Sequence, residues 1–166
     1  DVIVTHRTSD YHPDHRATAQ LVQDTAYVIT VPHNCEDTPL PDRVPVYAYM
    51  RDKIDVPRSV RIDAIVPTDS VIDCKIAALR CQASQFFEWL AWDRTRKEID
   101  VSKMSDGEIR DYLMRWCDMD KYVAAEGYPL LRKLLDVKTA DRTRYAEKFE
   151  QSAYGSRHLS QEDFAR

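Results

Sequence analysis

The opening residues restrict the architecture more than any other stretch of the chain. A β-branched run, Val2-Ile3-Val4, is followed by a polar turn and then by an apolar periodicity that a proline opens. That order reads as the end of a buried strand feeding a helix, the repeating unit of an α/β core. In open α/β sheets ligands gather outside the carboxyl ends of the strands. The turn that falls there is Asp10-Tyr11-His12-Pro13-Asp14-His15-Arg16. No other stretch holds so many side chains able to bind a metal, move a proton or orient a carboxylate.

His12 suits the N-cap of the following helix, and Pro13 its first position, where a missing N–H costs nothing. The helix is expected to run to about Val28, with Leu21, Val22, Thr25 and Ile29 as its apolar stripe. Residues 32 to 45 carry Pro32, Pro39, Pro41 and Pro45, the composition of an ordered loop. Strands are expected at Val44–Met50 and Arg61–Val66, the latter from the alternation of Ile62, Ala64 and Val66.

Residues 69 to 91 give the clearest periodicity. Ile72, Ile76, Leu79, Ala83, Phe86 and Leu90 recur at helical spacing, and Ser70 with Asp73 resembles a capping box. Beyond Trp92 the texture turns to charged helical segments. Ser105 and Glu108 form a second capping box, Pro129 opens a leucine-bearing turn, and Tyr145 to Gln151 reads as a last short helix stopped near Gly155. The expected organisation is an α/β core over residues 1–92, partial, Rossmann-like and layered on a mostly parallel sheet. A C-terminal helical extension over residues 93–166 packs on it.

At 166 residues with 43% hydrophobic and 31% charged side chains, the composition is that of an ordinary globular chain. A net charge of −4 leaves no unbalanced basic stripe for nucleic acid. No apolar run approaches the length of a membrane span, and no signal-peptide pattern opens the chain. Cys35, Cys74, Cys81 and Cys117 show no CxxC spacing, and a reduced, cytoplasmic protein is the simplest reading. The chain opens on Asp1 rather than Met, and its three glycines all lie in the second half. Together these suggest a sequence that starts inside a domain.

Histidines three apart at a helix start project to one side, so His12 and His15 can serve a common site. A catalytic zinc takes three protein ligands and keeps one position for water. The tract offers one or two. His6, His33 and His158 read as surface or supporting histidines, and Asp52 as a loop or capping aspartate standing where a site carboxylate could be. The plainer reading of the tract is a solvated helix start.

The stretch from Val4-Thr5-His6-Arg7 through Asp10-Tyr11-His12-Pro13-Asp14-His15-Arg16 and on to Asp24 resembles the PIG-L/LmbE-like zinc-dependent N-deacetylases. Lys75 to Leu79 with Ala83 to Leu90 is similar to a later helix of that family, and Tyr145 to Glu150 with Tyr154-Gly155 to its C-terminal end. The resemblance implies removal of an N-acetyl group from an N-acetylglucosamine-type substrate, with Zn2+ as cofactor. It implies His15 as a metal ligand, His12 as the residue that stabilises the tetrahedral oxyanion, Asp14 as its carboxylate support and Tyr11 as a mobile tyrosine. The family's early HPDD(E) motif, which carries two zinc ligands and the general base, is absent. The expectation is therefore a fragment of a deacetylase, inactive alone, with a non-catalytic remnant or interaction module as its rival.

Overall fold

Four strands form one mixed sheet in the order β1-β2-β4-β3, in a computed structural model that describes residues 1–52, 54 and 57–155. The strands are β1 (Val2–Thr5), β2 (Val46–Met50), β3 (Ala64–Pro67) and β4 (Ala146–Gly155). β1 pairs with β2 in parallel, Val2 opposite Val46 and Thr5 opposite Tyr49. β2 pairs with β4 in antiparallel fashion, with a register irregularity between Val46 and Ala48. The Asp63 N–H donates to the Phe149 carbonyl at 3.0 Å and the Thr68 N–H to that of Tyr145 at 2.9 Å. Residue numbers rise on one side of that ladder and fall on the other, so β3 and β4 also run in opposite directions.

The α/β class stands, but the expected mostly parallel sheet is corrected to one with a single parallel pair. The cause is β4. Residues 145–151 carry Glu147, Lys148 and Glu150, whose intrinsic preference is helical, and a helix is expected there from sequence. They occupy an interior position of the sheet, where cross-strand pairing and burial override propensity. Ala146, Lys148, Glu150 and Ser152 are all buried there.

The chain divides into two compact units, Asp1–Val66 with the chain from Glu147 onward, and Pro67–Ala146. In the first, one face of the sheet is apolar. Val46, Ala48, Ala64 and Phe149 form its core, with Val2 and Val66 packed against them. The other face is polar. Tyr49 and Ser152 hydroxyls bond at 2.9 Å, and Tyr47 meets Thr25 at 3.0 Å. Thr25 belongs to helix α1 (Pro13–Val28), so α1 lies on this face. The inward side of α1 runs through Ala19 and Gln23, with Val22 and Ala26 half-buried, and Leu21 is exposed instead of joining the stripe.

The second unit is helical. α2 (Ile72–Cys81) lacks the expected Ser70–Asp73 cap, since its N-cap residue Val71 makes no side-chain bond. The single helix expected over 69–91 is interrupted at Gln82 and resumes as a π-helical turn, Ser84–Trp89, before α3 (Leu90–Thr95). A π turn holds more residues per turn than an α turn and so rotates the side chains beyond it about the helix axis. Phe87 consequently fills the core with Ile76, Ile109, Leu113, Cys117 and Tyr145, while Phe86 packs at its margin. The Ser105–Glu108 capping box opens α4 (Asp106–Met114) as expected. Beyond it lie α5 (Asp118–Glu126), the proline-opened α6 (Tyr128–Leu134) and α7 (Val137–Arg142).

Gly155 closes β4 at φ 110°, and a Cβ there would stand 3.0 Å from the Pro45 carbonyl oxygen and 3.2 Å from the Tyr47 ring. Gly155→Ala is expected to cost about 1–3 kcal/mol in a urea melt. Glu150 is buried, which raises its pKa, but bonds from the Arg58 guanidinium and the Arg61 N–H outweigh that and hold it below its ordinary 4.5. Its contribution is complete above that value and is lost as pH falls through the depressed one. Glu150→Gln should therefore flatten the decline of stability in that acid range, measured by denaturant melts across pH.

Candidate metal centre

Three local hydrogen bonds fold the end of β1 back over the start of α1. The Asp10 N–H donates to the Arg7 carbonyl at 3.1 Å, closing a turn across Thr8 and Ser9. The Asp10 carboxylate then accepts the His12 N–H at 3.0 Å, an Asx turn. Finally His12 takes the N-cap, its Nδ1 accepting the Asp14 N–H at 3.2 Å, and Pro13 opens the helix as expected. The Arg16 guanidinium seals the turn by donating to the carbonyls of Asp10 and Tyr11, both at 2.8 Å.

The result brings together His6, Asp10 and His15. One ligand atom from each lies within 4.8 Å of the others, a grouping that could hold a metal ion. Asp10 is 4% exposed; its Oδ1 meets His15 Nδ1 at 2.9 Å and its Oδ2 stands 3.9 Å from His6 Nδ1. The two rings stack in parallel, centroids 4.0 Å apart. Burial, and then the neighbouring His15, push His6 below its ordinary pKa against the pull of Asp10 and Asp52. Burial raises the Asp10 carboxyl, but the His12 N–H and the His15 ring more than offset it and hold the group below its usual range. A neutral imidazole and an ionised carboxylate are the forms that ligate metals.

The donor set fits a borderline divalent ion. Two imidazoles and one carboxylate are a known catalytic zinc set, with a fourth position left for water or substrate. Ligands about 2.1 Å from a tetrahedral ion stand about 3.4 Å apart, so the widest separation in the group has to close by about 1.4 Å to bind one.

Of the residues expected at a site, His15 falls within this group. His12 lies beside it, its ring centroid 4.9 Å from that of His15, and Tyr11 stands edge-on to both at 5.9 and 5.5 Å. Tyr11 is 65% exposed. The Asp14 carboxylate is open to solvent, 3.9 Å from His12 Nδ1. Because that Nδ1 already accepts a backbone N–H, the neutral His12 ring carries its proton on Nε2. His33 is exposed in the proline loop, in the left-handed region at φ 63°, and His158 lies outside the described residues.

Asp52 turns inward. Both its oxygens take the Arg7 guanidinium, at 2.8 and 2.9 Å, and one also caps the Ile54 N–H. Arg7 is itself buried and bonds the carbonyls of Arg58 and Ile54. This clamp ties the loop after β2 to the residue next to His6. His6 and Asp10 as ligands escape sequence reasoning. The signal that could have found them is an aspartate two residues before an N-cap histidine, the Asx-turn spacing that draws a carboxylate back toward the strand end.

An α/β chain with a histidine–carboxylate group at the end of its first strand is the class these features define. A solved structure, GalB, the 4-carboxy-2-hydroxymuconate hydratase from Pseudomonas putida KT2440, is similar to it with a TM-score of 0.54 at 16% identity. The likeness covers 96% of this chain and 55% of that one, so the chain spans about half the length of the structure it matches. No family model matches the chain, and no curated protein does. The expected membership of the PIG-L/LmbE-like deacetylases is corrected accordingly: the likeness found is one of fold, and it is to a hydratase. The deacetylase-fragment reading and its N-acetylglucosamine-type substrate give way with it. Among the described residues, no helix is long and apolar enough to cross a membrane.

Asp10→Ala strips the His12 N–H and the His15 ring of their acceptor and is expected to cost about 1–3 kcal/mol in a urea melt. Asp10→Asn keeps an acceptor for the turn and should cost less.

Proposed function

We propose that His6, Asp10 and His15 hold a divalent zinc ion, and that the protein of which this chain forms part is a metal-dependent lyase that adds water to, or removes it from, an unsaturated carboxylate. The observation that carries the reading is the convergence of three ligand atoms within 4.8 Å around a buried carboxylate. The hydratase chemistry is drawn from the fold likeness. When bound, such an ion supplies Lewis acidity and a water of lowered pKa.

The chain's own residues carry the remaining roles. Asp10 orients the His15 ring through its 2.9 Å contact with Nδ1 and places negative charge 3.9 Å from His6 Nδ1. His12, with its Nδ1 held by the Asp14 N–H, presents Nε2–H as a proton donor at the mouth. The Asp14 carboxylate adds negative charge beside that ring. Tyr11 stands exposed over His12 and His15, where its hydroxyl can bond to substrate. The four cysteines, all free, support a reducing, cytoplasmic setting.

The reading predicts about one equivalent of zinc per chain after dialysis, by elemental analysis. His15→Ala and His6→Ala should each weaken zinc affinity at least tenfold in competition with a chelator, with helicity retained. The protein should also bleach the ultraviolet absorbance of 4-carboxy-2-hydroxymuconate in a zinc-dependent manner, and His12→Ala should lower that rate about 100-fold or more while leaving zinc content unchanged. Unaltered zinc affinity in both ligand variants would overturn the metal assignment. Zinc binding without turnover would overturn the lyase reading alone.

A further inference from the structure

The helical unit holds a cleft of about 740 Å3 that plays no part in the proposed metal chemistry. Its size falls in the range of small-molecule sites. α5 supplies part of the lining through Lys121, Ala124 and Ala125, and Tyr128 at the start of α6 also lines it. Lys121, Ala124 and Ala125 are spaced i, i+3 and i+4 and share one side of α5, and Tyr128 opens α6 beyond the break at Gly127. Opposite them stand Ala140 and Asp141 of α7 and the segment through Arg144 and Tyr145. Ala124 and Ala140 are both buried, and Tyr128 and Tyr145 line the same cleft.

Two cations border the Tyr145 ring. Lys121 Nζ lies 5.7 Å from its centroid and Arg144 Cζ 5.9 Å. Lys121 pairs with Asp118 at 3.0 Å. Arg144 meets Asp69 through Nε alone, at 3.4 Å. The Asp69 carboxylate is occupied chiefly by the backbone N–H groups of Arg144 and Tyr145, at 3.0 to 3.1 Å. The two terminal amino groups of Arg144 have no partner among the described residues, and such a fork matches a carboxylate in two-point contact. Asp141 is engaged by the Tyr128 hydroxyl but keeps its negative charge at the rim, which disfavours a dianion.

We infer that this cleft is a binding site for a planar ring bearing a single carboxylate, the ring lying between Tyr128 and Tyr145 and the carboxylate on Arg144 and Lys121. The inference is independent of the metal group on the sheet. Benzoate is the probe, with benzamide as its uncharged counterpart and inorganic phosphate as the bare anion, followed by amide chemical shifts in 15N-labelled protein. Benzoate is expected to shift the amides of residues 121–128 and 140–145 saturably in the millimolar range, whereas benzamide and phosphate leave them in place. Arg144→Ala keeps the backbone bonds to Asp69 and should weaken benzoate binding at least tenfold, as should Lys121→Met, with unchanged circular dichroism. Equal shifts from benzamide, shifts from phosphate alone, no saturable response to benzoate, or undiminished binding in both variants would overturn the inference.

Discussion

The Asp10 carboxylate is the constraint on which the strand–turn–helix unit depends. It sits almost wholly buried at the point where β1 gives way to α1, and three groups converge on it: the His12 N–H, the His15 ring and, at longer range, the His6 ring. A buried carboxylate without such partners would cost several kcal/mol. Satisfying it bends the chain into an Asx turn, sets His12 as the N-cap and directs α1 onto the polar face of the sheet. The same bonds that stop the strand and start the helix also bring two imidazoles face to face. Fold and site thus share one electrostatic requirement.

The sheet beneath has a division of labour. Its apolar side is a conventional core of Val46, Ala48, Ala64 and Phe149. Its polar side holds Tyr47, Tyr49, Glu150 and Ser152 in hydrogen-bonded pairs, and the buried Arg7–Asp52 clamp lies beside the residue that follows β1. The hydrogen-bonded pairs among these interior polar groups favour one arrangement over others. A strand rich in Glu and Lys can occupy the middle of a sheet because Arg58 and the Arg61 N–H receive Glu150 there.

Local signals in the sequence are readable where the physics is local. The His12–Pro13 helix start and the Ser105–Glu108 capping box depend on residues three or four apart, and both are present. The position of β4 depends on partners some ninety residues away, Arg58 and Arg61, and no window containing Tyr145 to Gln151 can reveal them. The π turn at Ser84–Trp89 is hidden for a related reason: an inserted residue shifts the buried position from Phe86 to Phe87 without breaking the apolar pattern. At the site, the density of ionisable groups in residues 10–16 points to the right turn, and His15 falls in the ligand group. His6 and Asp10 are not legible in this way, because their proximity comes from the turn across Thr8 and Ser9 rather than from helical spacing.

X-ray absorption at the zinc edge on the dialysed protein tests the central claim most directly. The account predicts a shell of nitrogen and oxygen ligands at about 2.0–2.1 Å with the outer-shell scattering of two imidazoles, and no sulfur. The imidazole scattering should fall by half in His15→Ala. A spectrum dominated by sulfur near 2.3 Å, or one unchanged by that substitution, would contradict it.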